Sequence, residues 1–242
     1  MAMNPALQTT GKDRRMYVWF AVFMPIIVLA GFARSYYLKS FFGFPALPSL
    51  LVHLHGIVMT SWVVLFVTQV TLVATGRTRT HQRLGVLGAV LAPLVIVVGV
   101  LTAIAGAARG STPGPPALQF LVVPLFDMLV FAILVGTALY LRRRRLDIHK
   151  RLMLIAAVNL LAPAIARIPL HFIETGGPLV FFGLTDMCLL ACVAYDTVKN
   201  RRLHPAFLWG TLLIIASQPL RLMLSGTDIW LRFATALVGL VR

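Results

Sequence analysis

Negative charge is what this sequence has least of: seven Asp and Glu stand against 22 Lys and Arg, a formal balance of +15. Charge of either sign is scarce, at 12% of residues, where soluble domains carry roughly a quarter. That excludes an ordinary water-soluble domain. Cysteine is limited to Cys188 and Cys192, four apart inside one apolar run. A regular helix at that spacing does not meet disulfide geometry, so the pair reads as small packing residues or, alternatively, as soft metal ligands. The patterns G-x-x-x-x-G-K-[ST], H-E-x-x-H, G-x-S-x-G and C-x-x-C-H are absent, as are the histidine clusters of membrane desaturases.

What remains is apolar: 59% of the 242 residues are hydrophobic and mean hydropathy is +0.89. Apolar runs near residues 16–33, 50–75, 84–107, 118–141, 152–168, 179–198 and 205–224, the first three without any charge, are of the order of the ~20 residues that cross a bilayer core. In hydrocarbon the backbone must satisfy its own hydrogen bonds, and runs that do not alternate in polarity do so as helices. The expected fold is therefore all-α, a polytopic membrane bundle of about seven transmembrane helices forming one integral membrane domain over 1–242. Residues 1–15 form a basic tail that resembles a signal-peptide start, but 16–33 lacks a small-residue cleavage site and reads as a retained anchor. Residues 34–49 form an aromatic connector suited to the interface. GSTPGPP at 110–116 and FIETGGP at 172–178 read as loops, and 225–242 as an amphipathic tail lying on the interface or docked on the bundle.

Seven spans put alternate loops on opposite sides. One side collects fifteen cations, including Arg142 to Arg145, Lys150, Arg151, Lys199, Arg201 and Arg202; the other collects five, Arg34, Lys39, Arg109, Arg232 and Arg242. The positive-inside rule then predicts a cytoplasmic N-terminus and an external C-terminus, in a cytoplasmic membrane. The cations sit in short loops, so the partners they imply are anionic lipid headgroups and not nucleic acid. Quinone and other membrane subunits are further partners such a bundle can have.

Three turns share a form: GRTRTHQRLG, RRRLDIHKRLM and KNRRLHPAFLW. Each sets a histidine (His81, His149, His204) before an apolar helix carrying a proline (Pro93, Pro163, Pro219). The incoming helices match too, with FDMLVFAIL from Phe126 and TDMCLLACV from Thr185. The expected architecture is a leading helix followed by three repeated helical hairpins. A histidine early in one helix, a glutamine later, then GR…H-[RQ]-R-L-G resembles a group of uncharacterised bacterial multi-pass membrane proteins, over residues 52–221. The layering of histidines is similar to that of cytochrome b561-type proteins, although helix count and spacing depart from them. That likeness implies haem b and quinone-linked electron transfer. Adiponectin-receptor and hemolysin-III-like hydrolases share the expected orientation, but their late H-x-x-x-H pair is missing here.

Charge inside a span asks for a partner or a role. Asp127, Asp186, Arg167 and Arg221 lie within the apolar runs or at their ends, and each arginine follows its repeat histidine by 18 or 17 residues. Repeat equivalence predicts two structural ion pairs, Asp127 with Arg167 and Asp186 with Arg221. On the second helix His55, Met59, Trp62, Phe66 and Gln69 share a face, while His53 points roughly 200° away. Asn159, Pro163, Arg167 and His171 form a stripe if the fifth helix persists past Pro169. His55 (or His53), His171, Asp127 and Asp186 then form an outer layer that suits a divalent metal, and a histidine pair suits a bis-His haem, with Gln69 as a further cofactor contact. His81, His149 and His204 form an inner layer able to ligate a metal or touch a quinone. The function expected from this is redox or metal chemistry in the membrane. The alternative is a non-enzymatic accessory subunit, small-solute carrier or lipid-binding scaffold whose buried charges are structural.

Overall fold

The computed structural model of the protein describes residues 11–112 and 116–241. The first ten residues of the basic tail, residues 113–115 of the GSTPGPP breaker and Arg242 lie outside the described residues. Within them the chain is a helical bundle with no strand, and seven helical stretches are long and apolar enough to cross a membrane.

In chain order the helices are α1 (Gly11–Phe32), α2 (Leu50–Ala74), α3 (Thr78–Ala108), α4 (Ala117–Phe120), α5 (Val122–Leu141), α6 (Leu146–Asn159), α7 (Ala162–Ile165), α8 (His171–Asn200), α9 (Pro205–Ser225) and α10 (Asp228–Gly239). Spans four and five are each built from two helices in series, α4 with α5 and α6 with α7. A π-helical turn, Ala33–Tyr37, continues α1. It lays Tyr37 against α2, where its hydroxyl meets the Thr60 hydroxyl at 2.8 Å. The aromatic connector is thus partly a helix extension tied to its neighbour.

The fifth span is the centre of the bundle. Leu154 to Val158 are fully buried, whereas α1 turns Trp19, Val22, Phe23, Ile26 and Leu29 outward. An apolar outer face of that extent is what hydrocarbon requires, since lipid tails solvate it. Close crossings use small residues, as expected where packing rather than water drives helix association. A Cβ on Gly31 of α1 would sit 2.0 Å from the Ala164 carbonyl oxygen, and one on Gly210 of α9 would sit 2.7 Å from Ile155 Cδ1.

Two expectations change, and one open alternative is decided. The fifth span breaks after Asn159 and ends at Ile165, because Pro163 has no N–H for the Asn159 carbonyl and Pro169 disfavours helix at Ile168. The stripe from Asn159 to His171 therefore does not exist on one helix; His171 instead opens α8. FIETGGP is not a loop but the first turns of α8, kinked where Gly177 takes φ 59°, ψ −153°, a conformation open essentially to glycine alone. The C-terminal tail docks rather than lying on the interface: α10 packs against α3 and α4. Thr227 caps it, and the Trp230 indole N–H donates to the Leu118 carbonyl at 2.8 Å.

Candidate functional site

Polar side chains gather in two layers. The first is buried between α5, α6, α8 and α9. Arg221, 1% exposed, donates through one terminal nitrogen to Asp127 Oδ1 and through the other to the Ser217 hydroxyl at 2.9 Å. Its guanidinium carbon lies 5.5 Å from the Phe182 ring centroid and 5.9 Å from that of Phe126, and Nε has no partner among the described residues. Asn159 donates to the Asp127 backbone carbonyl at 3.0 Å, and Gln218 donates to Asp186 Oδ1 at 2.8 Å. One cation thus stands beside two carboxylates, one bonded to it directly and one reached through the residue three places before it.

This pairing corrects the expectation from the repeat. Arg221 crosses to Asp127 of another hairpin, and Asp186 is held by Gln218. Arg167 joins neither: it donates to the Pro163 carbonyl at 2.8 Å and lies over the Phe32 ring at 5.1 Å. The early end of the fifth span places Arg167 beyond α7, outside the bundle core.

The expected outer metal quartet is dispersed. His171 is exposed at the start of α8, His53 is exposed beside Tyr36, and Asp127 is committed to Arg221. Among the described residues no three His, Cys, Asp or Glu side chains are grouped as a metal ion needs. His55 is set apart from the rest: its buried Nδ1 has no partner among the described residues. Cys188 and Cys192 are free thiols.

The second layer lies at the arginine-rich end. Arg151 and Asp196 form a buried forked ion pair at 2.8 to 3.1 Å, each side chain 5% exposed. A second terminal nitrogen of Arg151 donates to the Asp147 carbonyl at 3.0 Å. Nothing in the sequence marks this pair off from the surrounding loop cations, although Asp196 does fall on a helix interior.

The inner histidines have tautomers fixed by their neighbours. His204 caps α9 by accepting the Ala206 N–H on Nδ1 at 3.1 Å, so Nε2 carries the proton and donates to Asp147 at 3.1 Å. Burial, helped by Arg151, holds the His204 imidazole below the ordinary histidine range despite the nearby carboxylates. His149 donates from Nδ1 to the Ala138 carbonyl at 2.8 Å, which leaves Nε2 with its lone pair. Gln69 of α2, with its amide oriented to suit its neighbours, donates to His81 Nδ1 at 2.6 Å and accepts from Gly85 N at 3.0 Å. Gln69 therefore cross-links α2 to α3 instead of facing a cofactor. Of the three inner histidines only His149 has an uncommitted lone pair, so as arranged they do not fit a shared metal ion.

Comparison with protein-family models, with curated proteins and with solved structures gives no match. The chemistry must be read from these side chains.

Proposed function

We propose that the protein is a small-solute carrier of the cytoplasmic membrane whose coupling ion is the proton and whose coupling site is the Arg221 network. The observation that carries this reading is a buried guanidinium bonded to one carboxylate, Asp127, with a second carboxylate, Asp186, held by Gln218 three residues before it on the same helix, all inside apolar spans. Intramembrane charges of this kind are costly and characteristically belong to ion pathways. The helices that supply the network are not all regular. Span four turns at Leu121, α6 stops at Asn159, α8 kinks at Gly177, and Pro219 separates Gln218 from Arg221 in α9. Broken helices beside a polar midplane site are a recurring feature of secondary carriers.

The chemistry is an exchange of partners. With both carboxylates ionised the network carries one surplus negative charge. A proton on Asp127 removes the charge that holds Arg221, and the guanidinium is then drawn toward Asp186, the carboxylate that Gln218 holds from one turn before Arg221 on α9. Such a network has two arrangements, each biased by one proton, as coupling requires. The excess of cations at one end supports the orientation with that end in the cytoplasm.

The test is proton movement in proteoliposomes carrying an internal pH dye, challenged with amino acids, carboxylates, sugars and amines. At least one solute class should move protons, and Asp186→Asn should abolish the movement in a protein that still folds. No solute-dependent proton movement in the wild type sinks the proposal.

A second reading follows from His149, whose Nε2 faces its surroundings with a bare lone pair. Together with the likeness in histidine layering to cytochrome b561-type proteins, it supports redox work with haem or quinone at the arginine-rich end. The absorption spectrum and metal content of the purified protein separate the two readings.

A further inference from the structure

Two grooves flank the start of α1 and take no part in the charge network. One, of about 500 Å³, is walled by Arg15, Val18, Trp19 and Ala74, between α1 and the end of α2. The other, of about 390 Å³, is walled by Arg15, Ala194, Tyr195, Val198 and Lys199, between α1 and the last turns of α8. Arg15 stands between them. Trp19 and Val198 are 61% and 79% exposed, so both grooves open sideways onto the lipid-facing surface. Arg15, Ala74 and Lys199 lie at the ends of the spans Arg15–Tyr37, Leu50–Ala74 and His171–Asn200. That is the depth at which headgroup phosphates meet the hydrocarbon.

Charge at this end is one-sided. Fifteen cations share it with three carboxylates, Asp13, Asp147 and Asp196. Asp147 bonds Arg145 and His204 at the surface, and Asp196 bonds Arg151 inside the bundle. A further cation, Lys150, reaches α1, its Nζ 5.9 Å over the Tyr17 ring. Each groove thus joins a cation to an aromatic ring and an apolar wall, the combination that recognises a phosphate bearing acyl chains.

We infer that the two grooves form one binding site for an anionic phospholipid with two phosphates, of the diphosphatidylglycerol type. Its phosphates sit at Arg15 and Lys199, and its acyl chains run down the apolar walls past Trp19 and Val198. Two phosphates suit the site because Arg15 lines both adjoining grooves and Lys199 sets a second cation in one of them.

Native mass spectrometry of the full chain in detergent, with diphosphatidylglycerol, phosphatidylglycerol or phosphatidylcholine added, tests this. Retention should fall in that order. Removing a cation should weaken it by about fivefold, the equivalent of about 1 kcal/mol for each basic residue near an anionic surface, in Arg15→Gln and again in Lys199→Gln. The paired control Arg143→Gln with Arg144→Gln removes two cations at the same end but outside both grooves, and should leave retention unchanged. Trp19→Ala, which keeps both cations, should also release lipid, so the inference does not depend on one variant folding. Excess inorganic phosphate should not compete. Equal retention of the three lipids, an equal loss in the control pair, or displacement by free phosphate overturns the proposal. Phosphatidylglycerol held as tightly as diphosphatidylglycerol overturns the two-phosphate assignment.

Discussion

Asp127→Asn, Arg221→Met and the double variant test the buried pair quantitatively. Both side chains are almost fully enclosed, at 5% and 1% exposed, so removing one leaves the other without solvent to turn to. Breaking such a pair costs about 3–5 kcal/mol. The two single variants fail differently. Asp127→Asn strands a guanidinium that cannot shed its charge, and its penalty should not depend on pH. Arg221→Met leaves a carboxyl that folds as the neutral acid, at a cost of about 4 kcal/mol at pH 7, falling by about 1.4 kcal/mol for each unit of acidification. Because that folded variant binds a proton its unfolded chain does not, its stability rises as pH drops from 7 to 5. The double variant buries no charge at this position and should recover most of the loss, giving a coupling of about 3 kcal/mol. Reversible unfolding in mixed detergent micelles, followed by circular dichroism, measures all of these terms. Asp186→Asn combined with Arg221→Met should couple by less than about 1 kcal/mol, because Gln218 and not Arg221 holds Asp186. If Asp186 rather than Asp127 carries the coupling, the network described above is wrong.

Two further outcomes follow from local geometry. Gly31→Ala should push α1 away from α7, since its Cβ would lie 2.0 Å from backbone; a loss of about 1–3 kcal/mol is expected, whereas Gly136→Ala, with nothing within 4 Å, should be neutral or gain up to about 1 kcal/mol. His204, held below the ordinary histidine range by burial and Arg151, takes up its proton in the unfolded chain first. Its contribution is therefore complete above about pH 6.5 and lost as pH falls toward the folded value. Melting between pH 7.5 and 5.5 should show this step in the wild type and not in His204→Asn, which keeps a capping side chain without a titrating ring.

The number of spans, the helical class and the one-sided charge were legible in the chain, because each depends on composition along one dimension. A run of about 20 apolar residues must be helical in hydrocarbon wherever its neighbours lie. The polar residues of the site were legible one at a time for the same reason: Asp127, Asp186 and Arg221 stand out against apolar surroundings. Arg151 and Asp196 did not, since a basic residue near a loop looks the same whether it turns outward or inward.

Partnership was a different matter. Repeat symmetry assigned Arg221 to Asp186, yet it reaches Asp127 because α5 and α9 pack face to face while Gln218 already occupies Asp186. Arg167 and His171 left the site once Pro163 and Pro169 ended the fifth span early, a choice among kink, break and continuation that proline leaves to its surroundings. The histidine layers likewise dissolved into separate roles when Gln69, Ala138 and the α9 N-terminus each claimed a ring nitrogen. Sequence by itself determined how many helices are long and apolar enough to cross a membrane and which residues are costly to bury. Only the tertiary structure decided which of those residues relieve one another, because hydrogen bonds and ion pairs depend on helix rotation and crossing, which no single helix contains.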